Sequence, residues 1–161
     1  MDARIEHWER LYRDVGPALL GYFRRQPALA GAADDLLQDT FERALRRSGR
    51  GQPPVSQRAY LFGIARHVGI DALRRQRPQA ELTPELAAPS KAEDDRLEAM
   101  RLAIGGLPEP QRETLLLKLQ QDLSYEEIAA VLDIPVGTVR SRLHHAVRRL
   151  REQLNPEPES S

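Results

Sequence analysis

The sequence predicts an all-α protein of two small helical domains joined by a flexible linker. β-Branched residues are scattered and no stretch alternates for long between apolar and polar side chains, so strand signals are lacking. Apolar residues instead recur at three- and four-residue steps, as on one face of a helix. The stretch 78–92 has three prolines, few large apolar residues and no sustained periodicity, which is typical of a linker. We therefore expect a first domain over 1–77, a linker over 78–92, a second domain over 93–154 and a disordered tail over 155–161.

The first domain contains three predicted helices, at about 4–26, 33–48 and 57–76. The second of these begins with aspartates and ends with arginines, a layout that matches the helix macrodipole. Its predicted inner stripe is Leu37, Phe41, Ala44 and Leu45. Its outer face and flanks, which either meet a protein partner or are simply solvated, carry Asp35, Gln38, Asp39, Glu42 and Arg46.

The third predicted helix has a basic outer face. Its spacing buries the apolar residues Leu61, Ile64, Ala65, Val68 and Ala72. Arg66, His67 and Arg74 then project away from the core. This face suggests a nucleic-acid contact. The alternative is a solvated helix end, where cations are favourable because they lie at the C-terminus of the helix.

The second domain contains four predicted helices, at about 94–105, 109–120, 124–132 and 138–153. Ser124 with Glu127 three residues later has the form of a capping box, which fixes the start of the third one. The following stretch 133–137 contains proline and glycine and breaks that helix. Thr138 is then predicted to cap the last helix. The pattern is that of a helix-turn-helix.

The last helix has an apolar stripe and an arginine-rich outer face. The predicted stripe is Val139, Leu143, Ala146, Val147, Leu150 and Leu154. The opposite side presents Ser141, His144, His145 and Arg148, flanked by Arg140 and Arg151. Five arginines and no acid lie between Thr138 and Arg151. Their forked donors suit phosphates and guanine edges, so we expect this helix in a DNA groove. The alternative is the solvated face of an ordinary amphipathic helix.

The net charge of zero conceals a segregated pattern. Residues 1–77 carry net +5, residues 78–98 carry net −4 and residues 99–154 carry net +1. Within the last range the acids lie mostly before Gly137 and the arginines after it. A basic surface therefore survives in a neutral chain, although we expect only modest DNA affinity from the chain alone.

Other features narrow the function class. Cysteine is absent, which excludes disulfides and thiolate metal sites and favours a reducing cytoplasm. The first residues are charged, and no apolar run approaches the roughly 18 residues that span a bilayer, so we expect a soluble cytoplasmic protein without membrane insertion. The four histidines lack metal-ligand spacing, and no phosphate loop or nucleophile motif occurs. We expect no metal, cofactor, small-molecule substrate or enzymatic activity.

Three motifs in order resemble the extracytoplasmic-function (ECF) group of the sigma-70 family of bacterial RNA polymerase sigma factors. Residues 35–41 look like region 2.2, and residues 60–75 are similar to regions 2.3 to 2.4. Residues 107–113, 123–129 and 134–143 resemble region 4. The resemblance covers nearly the whole chain. The resemblance implies a region 2-like domain followed by a region 4-like helix-turn-helix domain.

The resemblance also implies a function. The chain would bind core RNA polymerase, direct promoter-specific initiation through the minus-10 and minus-35 elements, and be controlled by an anti-sigma factor. The polymerase contacts would be the clamp of the largest subunit and the flap. The residues assigned to core-polymerase binding, in the segment that resembles the clamp-binding region 2.2, are Asp35, Gln38, Asp39 and Glu42. The minus-10 surface comprises the 48–58 loop with Tyr60, Arg66, His67 and Arg74. The minus-35 readers are Thr138, Arg140, Ser141, His144, His145 and Arg148.

Two departures from the family pattern bear on promoter choice. Position 67 is commonly asparagine and here is His67, while position 145 is often arginine and here is His145. Imidazole lacks the bidentate fork of a guanidinium, so the promoter sequence does not transfer from relatives.

Two other classes fit less well. A helix-turn-helix regulator that is not a polymerase subunit leaves the region 2-like motifs unexplained, and a sensor domain of the receiver kind needs an α/β pattern. An adaptor that binds only protein leaves the arginine helix unexplained.

Overall fold

The structure, a computed structural model, describes residues 2–50, 55–76 and 95–156. Its helices are α1 (Ala3–Arg24), a short 3-10 helix (Ala30–Ala32), α2 (Ala33–Arg47), α3 (Gln57–Gln76), α4 (Asp95–Gly105), α5 (Glu109–Gln121), α6 (Tyr125–Leu132) and α7 (Val136–Leu154). No strand occurs in these three ranges, and the all-α fold class is confirmed. The predicted linker, residues 51–54 of the predicted loop and residues 157–161 of the predicted tail lie outside the described residues.

The chain forms two compact units. The first contains α1 to α3, and the second contains α4, α5, α7 and most of α6. In the first unit α2 packs against both α1 and α3. Its core consists mainly of Val15, Leu19, Phe23, Leu29, Leu36, Leu37, Phe41, Leu61, Phe62, Ile64 and Val68. The burial predicted for α3 is confirmed, because all five residues of the predicted stripe are buried.

A glycine allows close packing inside the first unit. Gly69 is buried in α3, and a Cβ added there would lie 3.3 Å from a methyl carbon of Leu29 and 3.7 Å from the ring of Phe23. Those two side chains are themselves fully buried. A larger residue at this position would have to displace well-packed neighbours, which protein cores accommodate poorly.

The buried stripe of α2 differs from the predicted one. Leu36 and Thr40 are buried, whereas Leu45 is 43% exposed. Because successive residues are rotated by about 100° around the helix axis, the burial of Leu36 and Thr40 moves the centre of the buried stripe away from Leu45. Thr40 tolerates burial because its hydroxyl donates a hydrogen bond to the Leu36 carbonyl oxygen at 2.8 Å. A rule that seeks only apolar residues misses this position.

A guanidinium joins α2 to α3. Arg43 donates from Nε to Asp39 Oδ1 at 3.1 Å and from Nη2 to Asp39 Oδ2 at 3.3 Å, both within α2. Its Nη1 donates to Asp71 Oδ2 of α3 at 3.0 Å. This hydrogen bond lowers the pKa of Asp71 below its ordinary value, and the charges of Arg43, Arg74 and Arg75 act in the same direction. The network is charge-assisted and partly shielded from water, so it is stronger than a fully exposed ion pair.

In the second unit α7 packs against α5 and α4. Its core consists mainly of Ala103, Leu107, Leu115, Leu117, Leu123, Ile128, Val139, Leu143, Ala146 and Leu150. The two connections around α6 are tight, because Asp122 and Asp133 adopt left-handed backbone conformations with φ of 50° and 54°. Aspartate tolerates this conformation better than most residues, and it ends α5 and α6 abruptly.

The predicted capping box at the start of α6 is present. The Glu127 amide donates to Ser124 Oγ at 3.1 Å, and the Ser124 amide donates to Glu127 Oε1 at 3.0 Å. Two backbone donors that would otherwise lack helical partners are thereby satisfied.

The start of α7 differs from the predicted one. The helix begins at Val136 with Pro135 as its N-cap residue, so Thr138 is not the cap. The Thr138 and Val139 amides both donate to the Pro135 carbonyl oxygen, at 3.0 and 3.2 Å, which places Gly137 and Thr138 in the first turn. Proline directly before a helix is favourable, because its fixed φ leads into the helix and it has no amide to satisfy.

Two residues at the end of the predicted α7 stripe are less buried than expected. Val147 is 38% exposed and Leu154 is half-buried. The fully buried residues are Val139, Leu143, Ala146 and Leu150. On a helix with about 100° per residue, Val147 lies at the edge of the sector that these four define.

We predict that Ser124→Ala destabilises the start of α6 by about 1 kcal/mol, the usual cost of removing an N-cap side chain. Amide hydrogen exchange of the full chain measures this, with faster exchange expected at Glu127 and in the first turn of α6. Ser141→Ala, at an exposed position on α7, is the matched control. Unchanged protection in the Ser124 variant would contradict the prediction.

We predict that Asp71→Asn lowers the free energy of unfolding by an amount that depends on pH. Because the native pKa of Asp71 is lowered, its carboxylate contributes stability above the unfolded-state pKa of about 4, and this contribution is lost as the pH falls through the native pKa. In urea unfolding of the full chain, the variant should therefore have a lower free energy of unfolding of the first unit than the wild type at pH 7. This difference should disappear at acid pH. Asp14→Asn, at an exposed position of α1, is the control. A deficit that stays constant from neutral to acid pH would refute the linkage.

Candidate nucleic-acid interface

The outward face of α7 carries the residues predicted to read duplex DNA. Arg140, Ser141, His144, His145 and Arg148 are all exposed, while Thr138 is half-buried. The His144 and His145 rings meet edge-on with centroids 5.7 Å apart. Arg148 Nε donates to Glu152 Oε1 at 3.3 Å, and both side chains remain largely exposed. The face therefore offers guanidinium, imidazole and hydroxyl groups to a ligand along about two helical turns.

Local structure around the turn between α6 and α7 positions this face. Asp133 ends α6 in a left-handed conformation, and the Ile134 amide donates back to the Ala129 carbonyl oxygen at 3.1 Å. Pro135 then starts α7 directly. The connection is as short as a helix-turn-helix requires, and it leaves the N-terminal half of α7 and its outward side chains open.

In the first unit α3 carries the predicted minus-10 residues, and the structure brings three of them together. Tyr60, His67 and Arg74 follow one another at seven-residue steps, so they lie along one side of the helix. His67 and Arg74 are exposed and Tyr60 is half-buried. Arg66 is half-buried and lies about 100° around the helix from His67, outside this row. An aromatic ring, an imidazole and a guanidinium in a row can stack on or hydrogen-bond unpaired bases.

The loop that precedes α3 is only partly described. Ser56 Oγ accepts a hydrogen bond from the Ala59 amide at 2.9 Å, which caps the start of α3. Val55 is exposed, and the residues 51–54 of the predicted 48–58 surface lie outside the described ranges.

Some residues of the predicted polymerase-binding face of α2 already form hydrogen bonds or ion pairs within the first unit. Asp35, Gln38 and Glu42 are exposed, and Glu42 forms a long ion pair of 3.8 Å with Arg46. Asp39, by contrast, is half-buried and accepts two hydrogen bonds from Arg43. A partner that binds Asp39 would have to share or replace these bonds. Arg43 was not predicted as part of this face, although an acid four residues before an arginine on one helix favours such a pair.

An apolar groove beside this face was also missed. It has a volume of about 430 Å³ and lies between α1 and α2, with Ile5, Trp8 and Tyr12 on one side and Phe41 and Leu45 on the other. The rings of Tyr12 and Phe41 pack with centroids 5.0 Å apart. The signal for the groove was the spacing of Ile5, Trp8 and Tyr12, which repeats at three and four residues before the first buried position, Val15.

The described ranges contain neither a metal-binding cluster nor a membrane-spanning helix. No three histidine, aspartate or glutamate side chains converge there as a metal ion would require. No helix among the described residues has the length and apolarity to cross a bilayer.

Comparison with known proteins identifies the family of this chain. Residues 11–79 match the family profile "Sigma-70 region 2", and residues 97–150 match "Sigma-70, region 4". The RNA polymerase sigma factor CarQ of Myxococcus xanthus is 31% identical over 160 residues, which cover 95% of this chain and 92% of CarQ. The ECF RNA polymerase sigma factor SigC of Mycobacterium tuberculosis is 37% identical over 134 residues, which cover 79% of this chain and 72% of SigC.

A solved sigma factor structure is similar to the structure of this chain. The sigma factor RpoE of Bartonella quintana, crystallised with the anti-sigma factor NepR, superposes with a TM-score of 0.72 and 26% identity. The superposition covers 95% of this chain and 99% of RpoE. α2 and α3 lie within the region 2 match, and α5, α6 and most of α7 lie within the region 4 match. The chain therefore belongs to the extracytoplasmic-function group of sigma-70 family RNA polymerase sigma factors.

Proposed function

We propose that the chain binds core RNA polymerase through α2 and directs it to promoters through two separate DNA contacts, α3 at the minus-10 element and α7 at the minus-35 element. The observation that carries this proposal is the presence of one basic helix surface in each of the two matched regions. In this role the chain is a transcription initiation factor that works in the cytoplasm, where the polymerase and the DNA are.

At the upstream element, α7 lies in the major groove of duplex DNA. Arg140 is exposed near the start of the helix, one turn after the tight connection from α6. N-terminal residues of a recognition helix reach base edges, and residues further along contact the backbone. Arg140, Ser141 and His144 then read bases, while Thr138 supports the first turn and His145 and Arg148 contact phosphates.

At the downstream element, α3 contacts separated strands. The row of Tyr60, His67 and Arg74 provides an aromatic surface and two hydrogen-bonding groups on one side of a helix whose other side is buried. Bases that have left the duplex stack on such surfaces, and the guanidinium attracts the backbone. Arg66 lies outside the row and is expected to make a phosphate contact at its margin.

Core polymerase binds the exposed face of α2. Asp35, Gln38 and Glu42 present carboxylates and an amide to a basic or polar partner surface. Leu45 lies seven residues after Gln38 on the same side, so the apolar groove continues this face. A polar rim beside an apolar pocket is the usual anatomy of a protein interface.

An anti-sigma factor controls the chain in this proposal. The solved relative RpoE was crystallised with NepR, an anti-sigma factor, which supports a partner of the same kind here. A protein that covers α2 or α7 would block polymerase or promoter binding without any change in the fold.

The alternative, a helix-turn-helix regulator that is not a polymerase subunit, is not favoured. Such a protein needs only a region that reads duplex DNA, and it leaves the region 2 match over residues 11–79 without a role.

We predict that the purified chain and core RNA polymerase together produce specific run-off transcripts from a genomic fragment library. The two components separately should produce none of these transcripts, because the chain supplies promoter recognition and the core enzyme supplies catalysis. Sequencing of the transcript 5′ ends measures the result and yields the promoter. A transcript set identical to that of core polymerase alone would refute the proposed function.

We predict that Arg140→Ala weakens binding of the holoenzyme to the upstream element by about 1–3 kcal/mol, or roughly 5- to 150-fold, through loss of a bidentate contact. Binding to core polymerase should be unchanged in a pull-down assay. Arg101→Ala, which removes the same charge from exposed α4, is the matched control and should keep normal DNA affinity. Loss of core binding in the Arg140 variant would contradict the assignment of α7 to DNA.

A further inference from the structure

An acidic side chain lies among the cations of the proposed minus-10 surface. Asp71 comes four residues after His67 and three residues before Arg74 on α3, so it lies on the same side of the helix as these two. Its side chain is 45% exposed. A free carboxylate at this position would repel the phosphates that the neighbouring cations attract.

The position of Asp71 also makes it a competitor for those cations. An acid pairs favourably with a cation that follows it by three or four residues on a helix. Arg74 and Arg75 stand at these two spacings, and both are exposed. The charges of both arginines contribute to the lowered pKa of Asp71, after the larger effect of the Arg43 hydrogen bond, so both lie near the carboxylate.

Arg43 of α2 occupies this carboxylate instead. Its Nη1 donates to Asp71 Oδ2 at 3.0 Å, and its bonds to Asp39 hold the guanidinium in place. The Arg43 side chain is only 24% exposed, so solvent reaches it less than it reaches either acid. Within the described part of the chain, no acid forms an ion pair with Arg74 or Arg75. The cations of α3 are therefore left for another anion.

We propose that Arg43 is a positioning residue for promoter binding, which neutralises Asp71 and so keeps Arg74 and Arg75 available to the backbone of the separated strands. The inference rests on the proposed contact between α3 and the minus-10 element, and it gives a role to a residue of α2 that does not itself touch DNA. If the pair were only a bridge between two helices, losing either partner would be equally harmful. In the proposal only the loss of Arg43 is harmful, because the loss of Asp71 also removes the competing carboxylate.

The experiment measures binding of preassembled holoenzyme to a premelted bubble that contains the minus-10 region of a promoter recovered by run-off transcription and lacks the upstream element. Core affinity is measured separately, because Arg43→Gln also frees Asp39 on the polymerase face. We expect Arg43→Gln to weaken bubble binding by about 2- to 5-fold, as for the loss of one exposed charge contact. The slope of log K against log salt should become shallower by about 0.7, the value for one phosphate on a single strand.

Asp71→Asn separates the two roles, because it breaks the same bridge but leaves no carboxylate. Its affinity for the bubble should equal or exceed that of the wild type. The double variant Arg43→Gln/Asp71→Asn should regain wild-type affinity and salt slope, whereas harm caused by the lost bonds to Asp39 would persist in it. Arg13→Gln and Asp14→Asn, the same changes on exposed α1, are the matched controls and should bind as the wild type.

The outcomes separate the inference from the proposed function. With normal run-off transcription by the wild type, undiminished affinity of Arg43→Gln would overturn the role of Arg43 alone. Reduced affinity of Asp71→Asn or of the double variant would do the same, and Asp71→Asn decides by itself if Arg43→Gln does not fold. Failure of the wild-type holoenzyme to bind the bubble would refute the proposed minus-10 contact, and the inference with it.

Discussion

Each helix of this protein has only one stripe to bury, and that constraint decides which side chains remain for function. Both units are small, and their cores are built from the apolar residues on one face of each helix, while other long apolar residues such as Leu73 and Leu119 stay exposed. In α7 the buried positions Val139, Leu143, Ala146 and Leu150 leave the opposite side free for arginine, serine and histidine. In α3 the buried stripe likewise leaves Tyr60, His67 and Arg74 in a row. A change that rotated either helix by one residue would move its polar face into the core.

Arg43 adds a polar constraint to the apolar ones in the first unit. Its guanidinium holds Asp39 of α2 and Asp71 of α3 together, so the helix with the proposed polymerase surface is tied directly to the helix with the proposed minus-10 surface. Asp71 lies between His67 and Arg74 in the sequence, within the part of α3 that we assign to DNA. A polymerase group that competes for Asp39 would act on the same guanidinium that holds Asp71. The proposed polymerase surface and the proposed minus-10 surface therefore share one network of charges.

The sequence predicts much of this fold because its local signals agree with one another. The capping box at Ser124 and Glu127, the stripe of α3 and most of the stripe of α7 all appear as expected. Misjudged positions are those where burial depends on neighbouring helices. Leu45 and Val147 lie at the edges of apolar sectors, and only the packing of α1 or of α4 and α5 determines whether such an edge is covered. The Arg43 bridge needs two helices at a set distance, so it does not follow from periodicity alone.

In the proposed function, the zero net charge gives a physical reason for dividing the promoter contact between two units. A chain with no excess of positive charge has little long-range attraction for DNA, and each helix offers only a few cations. Two weak contacts become a strong one when a common scaffold holds them at the correct spacing, because the second contact then forms at a high effective concentration. In the proposed function core polymerase is that scaffold. In that proposal, the weakness of each separate contact keeps the chain alone from occupying DNA before it joins core polymerase.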